Sequence, residues 1–230
     1  MTQADACIIV FAKAPLPGQV KTRLIPEIGA DAASRLHCLL AEHGVTTAAN
    51  SGMGDVQLWC APDTRHDLFR ALQQQYSISL HQQQGAGLGE RMYHAFNAAL
   101  VSYRHVVIVG TDCPFLRKQD YVEAIADLRQ GYDAVISPAQ DGGYVLLGLN
   151  RNETRLFDDM PWGTGQVCQE TQARLAACHY QWKTLATLRD IDRYEDLLYL
   201  RAVAGDAGLN SEFATYLAQL VAPASCSDGN

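Results

Sequence analysis

Lys13, Lys21 and Arg23 stand close together in Phe11-Ala-Lys-Ala-Pro-Leu-Pro-Gly-Gln-Val-Lys-Thr-Arg-Leu24, a stretch that follows an apolar run and contains Pro15 and Gly18. Three cations on one loop can hold an anion, and Gly18 lets backbone N–H groups approach a phosphate. The spacing Gly18-x-x-Lys21-Thr22 is too short for a Walker P-loop and lacks its first glycine. A solvated basic loop is the plainer reading of the same residues. In Val106-Val-Ile-Val-Gly-Thr-Asp-Cys-Pro114 an apolar run delivers the carboxylate of Asp112 to the edge of a sheet, and Pro114 stops the ladder behind it. A hard divalent cation, Mg2+ or Mn2+, needs one or two such carboxylates beside phosphate oxygens and water. An N-cap or Asx-turn is the alternative role for Asp112.

A second carboxylate is available in Arg189-Asp-Ile-Asp192, where extended backbone points Asp190 and Asp192 to the same side. Alternatively Asp192 caps the following helix, with Glu195 completing a capping box. Asp141-Gly142-Gly143-Tyr144 has the composition of a tight turn between strands, and Asp141 and Tyr144 can face a substrate from it. Gly85-Ala-Gly-Leu-Gly-Glu-Arg91 looks like a dinucleotide fingerprint, but Glu90 stands where the third glycine belongs, which excludes a nicotinamide site. Gly87, Glu90 and Arg91 can still contact a ligand, or else the glycines make a turn and Glu90 and Arg91 open an exposed helix. Trp162 in Pro161-Trp-Gly-Thr-Gly165 either lines a pocket or packs beside its proline. The chain has no His-Glu-x-x-His and no Gly-x-Ser-x-Gly, and its seven histidines lack ligand spacing.

These groups are positioned by short apolar runs that alternate with helical periodicity, the pattern of an α/β protein. Strands are predicted at 7–11, 56–60, 78–81, 106–109, 134–137, 144–149 and 179–184. Asp31 is expected to cap a helix that turns Leu36, Leu39 and Leu40 inward, and Asp63 one that carries Leu68, Phe69 and Leu72. A third helix holds Met92, Phe96 and Leu100, and a fourth, after Pro114, holds Tyr121, Ile125 and Leu128. A fifth starts at Asp192 and buries Leu197, Leu198 and Leu200 or the stem of Arg201, and Ser211 opens the last. The uninterrupted apolar run 106–109 is a central strand, and the tight turn at Asp141 makes the sheet mixed.

The chain has 230 residues, 48% of them hydrophobic, and a formal net charge of −7, which excludes general disorder and any overall basic field for nucleic acid. Its seven cysteines are odd in number and never spaced Cys-x-x-Cys, so reduced thiols and a cytoplasmic location are expected. The apolar stretch 7–12 is too short for a secretory or membrane-spanning segment. No repeat or linker divides the chain; one domain, residues 1–224, is expected before a polar tail at 225–230.

The motifs around Lys13, Gly87, Asp112, Asp141, Trp162 and Asp190, in that order and at those intervals, resemble the bacterial domain-of-unknown-function 2064 family across nearly the whole chain. The resemblance implies a Rossmann-like glycosyltransferase-A fold, that of the nucleotide-diphospho-sugar transferases, with a mostly parallel mixed sheet flanked by helices. The family is more distantly similar to phospholactate and molybdenum-cofactor guanylyltransferases, in which the N-terminal basic loop holds the nucleotide and an aspartate after a central strand binds metal. Carried onto this sequence, it implies nucleotide contacts from Ala12, Lys13, Pro15, Gly18, Lys21, Arg23, Gly87, Glu90 and Arg91. It implies Mg2+ or Mn2+ on Asp112 and Asp192, or Asp190, with Lys21 among the catalytic groups, and substrate contacts from Asp141, Gly142, Gly143, Tyr144, Trp162 and Thr164. The expected partners are a nucleoside triphosphate or nucleotide-sugar donor and a small acceptor; a non-catalytic nucleotide-binding protein on the same fold is the rival. The chain departs from the pattern in three places. Pro114 reduces the Asp-x-Asp of glycosyltransferases to one carboxylate, Gly163 replaces the serine of Trp-Ser-Thr, and Gln140 stands where a carboxylate precedes Asp-Gly-Gly.

Overall fold

Alternation along the first strand dictates the layers. In the computed structural model, which describes residues 5–205 and 207–220, β1 (Ala6–Lys13) sends Ile8 and Val10 to one face and Cys7 and Ile9 to the other. Both faces are therefore covered by helices. On the first lie α2 (Ala30–Ser51), through Ala41, Val45 and Ala48, and α5 (Lys118–Arg129), through Tyr121 and Ile125. On the second lie α4 (Leu88–Leu100), through Met92 and Phe96, and α6 (Val167–Ala177), through Leu175. Burying each of these large aliphatic or aromatic side chains contributes about 1.5–3 kcal/mol.

The remaining strands are β2 (Asp55–Ala61), β3 (Ser79–Gln82), β4 (His105–Gly110), β5 (Ala134–Pro138), β6 (Tyr144–Leu149) and β7 (Trp182–Thr184). They form one mixed sheet in the order β3-β2-β1-β4-β6-β5-β7, in which β6 runs antiparallel to β4 and β5 and the other pairings are parallel. Ile9 sits opposite Ile108, and Ile108 opposite Leu147, so the sheet's centre is continuous branched aliphatic surface. The mixed α/β architecture and the tight β5–β6 connection expected from the sequence are both present. A third apolar cluster joins α1 (Ile25–Ile28) and α2 to α7 (Tyr194–Ala202) and α8 (Ser211–Leu220) around Leu24, Leu36, Leu200 and Phe213. No helix among the described residues is long and apolar enough to cross a membrane. The expected domain end at 224 and tail at 225–230 lie outside the described residues.

Several local expectations are corrected. Gly29, not Asp31, occupies the N-cap of α2. The cap of α3 (Asp67–Tyr76) is His66, whose Nδ1 accepts the Leu68 N–H at 3.2 Å, while Asp63 accepts the N–H of Arg65 in the preceding turn. At the start of α7 the capping carboxylate is Asp196, which accepts the N–H groups of Asp192 and Arg193; Asp192 is thereby released for another partner. Leu198 faces outward. The last strand begins at Trp182 rather than at residue 179, because His179 takes a left-handed φ of 57° and Tyr180 donates back to the Leu175 carbonyl, closing α6. Helix α6 was not anticipated: Thr171 and Cys168 share its buried face with Val167 and Leu175 and mute the apolar signal.

Candidate functional site

β1 and β4 are parallel neighbours at the point where the strand order reverses: the chain leaves β1 for β2 on one side and leaves β4, through α5, for β5 on the other. That is a topological switch point, and the loops beyond the carboxyl ends of the two strands flank a crevice there. The crevice is a cleft of about 640 Å3, and it brings together Lys13, Lys21 and Arg23 from the first loop with Asp112 from the second.

The first loop is fixed by its backbone. Ala14 N–H donates to Ala61 O at 2.7 Å, and the Pro15 carbonyl accepts from Ser34 Oγ at 2.6 Å. Lys21 adopts a left-handed φ of 49°, uncommon for a side-chain-bearing residue, and this drives its side chain inward, where it is 3% exposed. Its Nζ lies 2.7 Å from Asp112 Oδ1 and also donates to the Ile191 carbonyl. Ile191 N–H in turn donates to the Asp112 carbonyl at 2.8 Å, so Lys21 ties the β1 loop, the β4 loop and the segment before α7 into one unit. Asp112 keeps 53% of its side chain open to the cleft. Its protein surroundings raise its pKa, but the Lys21 ammonium, with His37 and Lys13, outweighs that and leaves the carboxyl below its ordinary value.

The other carboxylates converge on the same floor. Asp190, Asp192 and Asp141 all line the cleft. Asp192 forms an ion pair with Arg23 across the mouth. Burial, followed by the carboxylates of Asp141 and Asp112, pushes Asp190 up to about 6. Asp141 closes an Asx-turn by accepting Gly143 N–H at 2.8 Å. Gly142 is conformational: its φ is +89°, and a Cβ there would lie 2.1 Å from the Gly165 carbonyl oxygen. It packs against the 161–165 loop and does not line the cleft. Pro15 and Gly18 likewise sit in the loop behind the cleft wall, and Glu90 holds the loop before α4 by accepting the Ala86 N–H at 2.7 Å. Ala12, Gly87, Arg91, Gly143 and Tyr144 do line it. Trp162 and Thr164 reach a contiguous side pocket of about 230 Å3 that Tyr144 and Asp141 share.

A family model for an uncharacterized protein conserved in bacteria (DUF2064) matches residues 44–164, which include the Gly87, Asp112, Asp141 and Trp162 loops. The chain belongs to the DUF2064 family. Among solved structures, this DUF2064 protein is similar to a candidate nucleotide-diphospho-sugar transferase from Desulfovibrio desulfuricans G20, with 30% identity, a TM-score of 0.85 and coverage of 94% of this chain and 95% of that one. It shares the fold of 4-diphosphocytidyl-2C-methyl-D-erythritol synthase from Anaerococcus prevotii (12% identity, TM-score 0.59, 88% and 99% covered). The same holds for a cytidylyltransferase from Leptospira borgpetersenii (13% identity, TM-score 0.55, 95% and 93% covered). No curated protein matches the sequence. The fold is thus the nucleotidyltransferase and glycosyltransferase-A type.

Several residues of the DUF2064 cleft were not anticipated. His37 on α2 is buried, its Nε2 3.1 Å from the Lys13 carbonyl and its Nδ1 3.8 Å from Asp112 Oδ1 without a hydrogen bond. Burial holds it below the ordinary imidazole value against the pull of Asp112. The available signal was a lone imidazole in the apolar stripe Ala33, His37, Ala41 of a helix. Gln83, which donates to the Trp59 carbonyl at 2.8 Å, and Leu88 at the start of α4 carry no such signal; only the packing of β3 and α4 brings them to the cleft.

Proposed function

We propose that this chain is a metal-dependent transferase acting on a nucleotide-activated donor, moving a nucleotidyl or glycosyl group to a small acceptor. The observation that carries the reading is the meeting of Lys21 with Asp112 at the switch-point crevice, with Lys13, Arg23 and Arg91 around it and three further carboxylates on the floor. A crevice at this place with cations on one wall suits a diphosphate, and carboxylates beside it suit the hard cation that accompanies one.

The donor set fits Mg2+ or Mn2+. Asp112 offers half-open carboxylate oxygen, with Asp190 and Asp192 on the same cleft. Among the described residues no three His, Cys, Asp or Glu side chains are grouped as a metal cluster, so phosphate and water would have to complete the shell of an ion held by one or two of these carboxylates. When bound, the ion would neutralise charge growing on the leaving phosphate oxygens. The protein's own groups do the rest. Lys13 and Arg91 meet the donor phosphates from the cleft wall. Arg23 turns from Asp192 to phosphate, freeing that carboxylate, and Lys21 holds Asp112 and the 189–192 segment in place while it contributes fixed positive charge. Positioning and electrostatics suffice for such a transfer, and no covalent nucleophile is needed.

The test is product formation. Purified protein with a panel of nucleoside triphosphates and nucleotide sugars, Mg2+ or Mn2+ and mixed small acceptors is assayed for release of pyrophosphate or nucleoside diphosphate. Release that requires metal and is lost in Asp112→Asn is the expected result. Binding of nucleotide with no release under any combination favours the non-catalytic rival.

A further inference from the structure

The side pocket beside the cleft differs from it in charge. The main cleft and the recess at the first loop share Lys13 and Arg91, whereas among the described residues no Lys, Arg or His lines the side pocket. Its walls are Phe11, Leu88, Met92, Tyr144, Trp162 and Val167, and its single ionisable carboxylate is Asp141. Tyr144 and Trp162 meet edge to face with centroids 6.4 Å apart, and the Tyr144 hydroxyl is engaged with Met92 Sδ at 3.7 Å, so the tyrosine presents its ring rather than a donor. Gly89 keeps this corner closed, since a Cβ there would lie 2.7 Å from the Phe157 carbonyl and 3.0 Å from Trp162 Nε1. Thr164 spends its hydroxyl hydrogen on the Pro161 carbonyl at 2.8 Å. The pocket therefore offers aromatic faces and acceptor oxygens but no cation.

We infer that this side pocket binds an uncharged, hydroxyl-bearing acceptor by its apolar face and disfavours phosphorylated or carboxylated ones. An anion placed here loses water, gains no counter-charge and faces Asp141. A hydroxyl finds a carboxylate oxygen to donate to, while rings and methylenes pack on Phe11, Tyr144 and Trp162. Continuity with the main cleft through Phe11, Gly110, Asp141 and Tyr144 sets such a molecule beside the loop that carries Asp112. The acceptor role rests on the transferase reading; the charge preference of the pocket does not.

The test compares phenyl β-D-glucopyranoside with its 6-phosphate by ligand-observed NMR titration of the full chain. The neutral probe is expected to bind about tenfold more tightly than the phosphorylated one. Trp162→Ala is expected to weaken the neutral probe about tenfold and Trp162→Phe much less. Leu88, 45% exposed at the rim, allows variants that do not threaten folding. Leu88→Ala is expected to weaken the neutral probe, and Leu88→Lys to raise affinity for the phosphorylated one. Equal or tighter binding of the phosphorylated probe by the wild type, indifference of neutral binding to both Trp162→Ala and Leu88→Ala, or no binding of either probe overturns the inference. A nucleotide-and-metal thermal-shift measurement on the same preparations separates the two claims. If no nucleotide stabilises the protein while the glucoside binds as expected, the donor reading fails and the pocket assignment stands. If nucleotide and metal stabilise it but the probe order is reversed, the pocket assignment alone fails.

Discussion

Replacing Asp190 by Asn probes the carboxylate cluster on the cleft floor through its electrostatic strain. Asp190 has an ordinary value of 3.8 and is pushed up to about 6 in the folded chain by burial and by Asp141 and Asp112. A raised carboxyl favours the folded state below its unfolded value, and that advantage is lost as pH rises through the folded one. The full difference corresponds to about 3 kcal/mol. Asp190 is partly open to the cleft, and solvent screening reduces the figure to about 1–2 kcal/mol. The amide in Asp190→Asn cannot ionise, so the variant should gain on the wild type from pH 4 to pH 7 by that amount, equivalent to roughly 2–8 °C in midpoint for a chain of this size. Urea denaturation of both proteins at intervals between pH 4 and pH 8 reads this difference directly, and taking the difference cancels groups common to both, such as His37. A flat difference across that window, or a variant that loses stability as pH rises, would refute the cluster as a source of strain.

Lys21→Met should destabilise by about 1–3 kcal/mol, because it leaves Asp112 beside an apolar wall and the Ile191 carbonyl without its ammonium donor; chemical denaturation measures it. Gly142→Ala should cost about 1–3 kcal/mol through its positive φ and the clash with Gly165, and should weaken probe binding in the side pocket, whereas Gly18→Ala, with open space around it, should cost less. Metal and nucleotide should bind synergistically, each tightening the other roughly 5–150-fold, because Asp192 is neutralised by Arg23 until phosphate draws that guanidinium away; calorimetric titrations of each ligand with and without the other test this.

How much was legible in the sequence follows from the range of each interaction. The β4 strand showed because its four central residues face helices on both sides and must all be apolar, and the loop after it showed because a carboxylate and a proline end that run. Caps are not legible locally, because the sequence offers an acidic residue near several helix starts and tertiary contacts choose among them. Asp192 is engaged by Arg23 from the opposite end of the chain, and Asp196 takes over the cap. The cations of the first loop were legible as a cluster, but the left-handed turn that buries Lys21 against Asp112 was not, since it depends on the docking of Ile191. His37, Gln83 and Leu88 owe their place in the cleft to elements that meet only in the folded sheet.

The most direct measurement on the central claim is thermal denaturation of the wild type and of Asp112→Asn against nucleoside triphosphates and nucleotide sugars, each with and without Mg2+ or Mn2+. A ligand at a hundredfold excess over its dissociation constant contributes about 2.7 kcal/mol, which raises the midpoint by roughly 5–10 °C here. The expected result is such a rise for one nucleotide class, present only with metal and lost in Asp112→Asn. A rise that ignores metal and survives in Asp112→Asn, or no rise with any nucleotide, would contradict it.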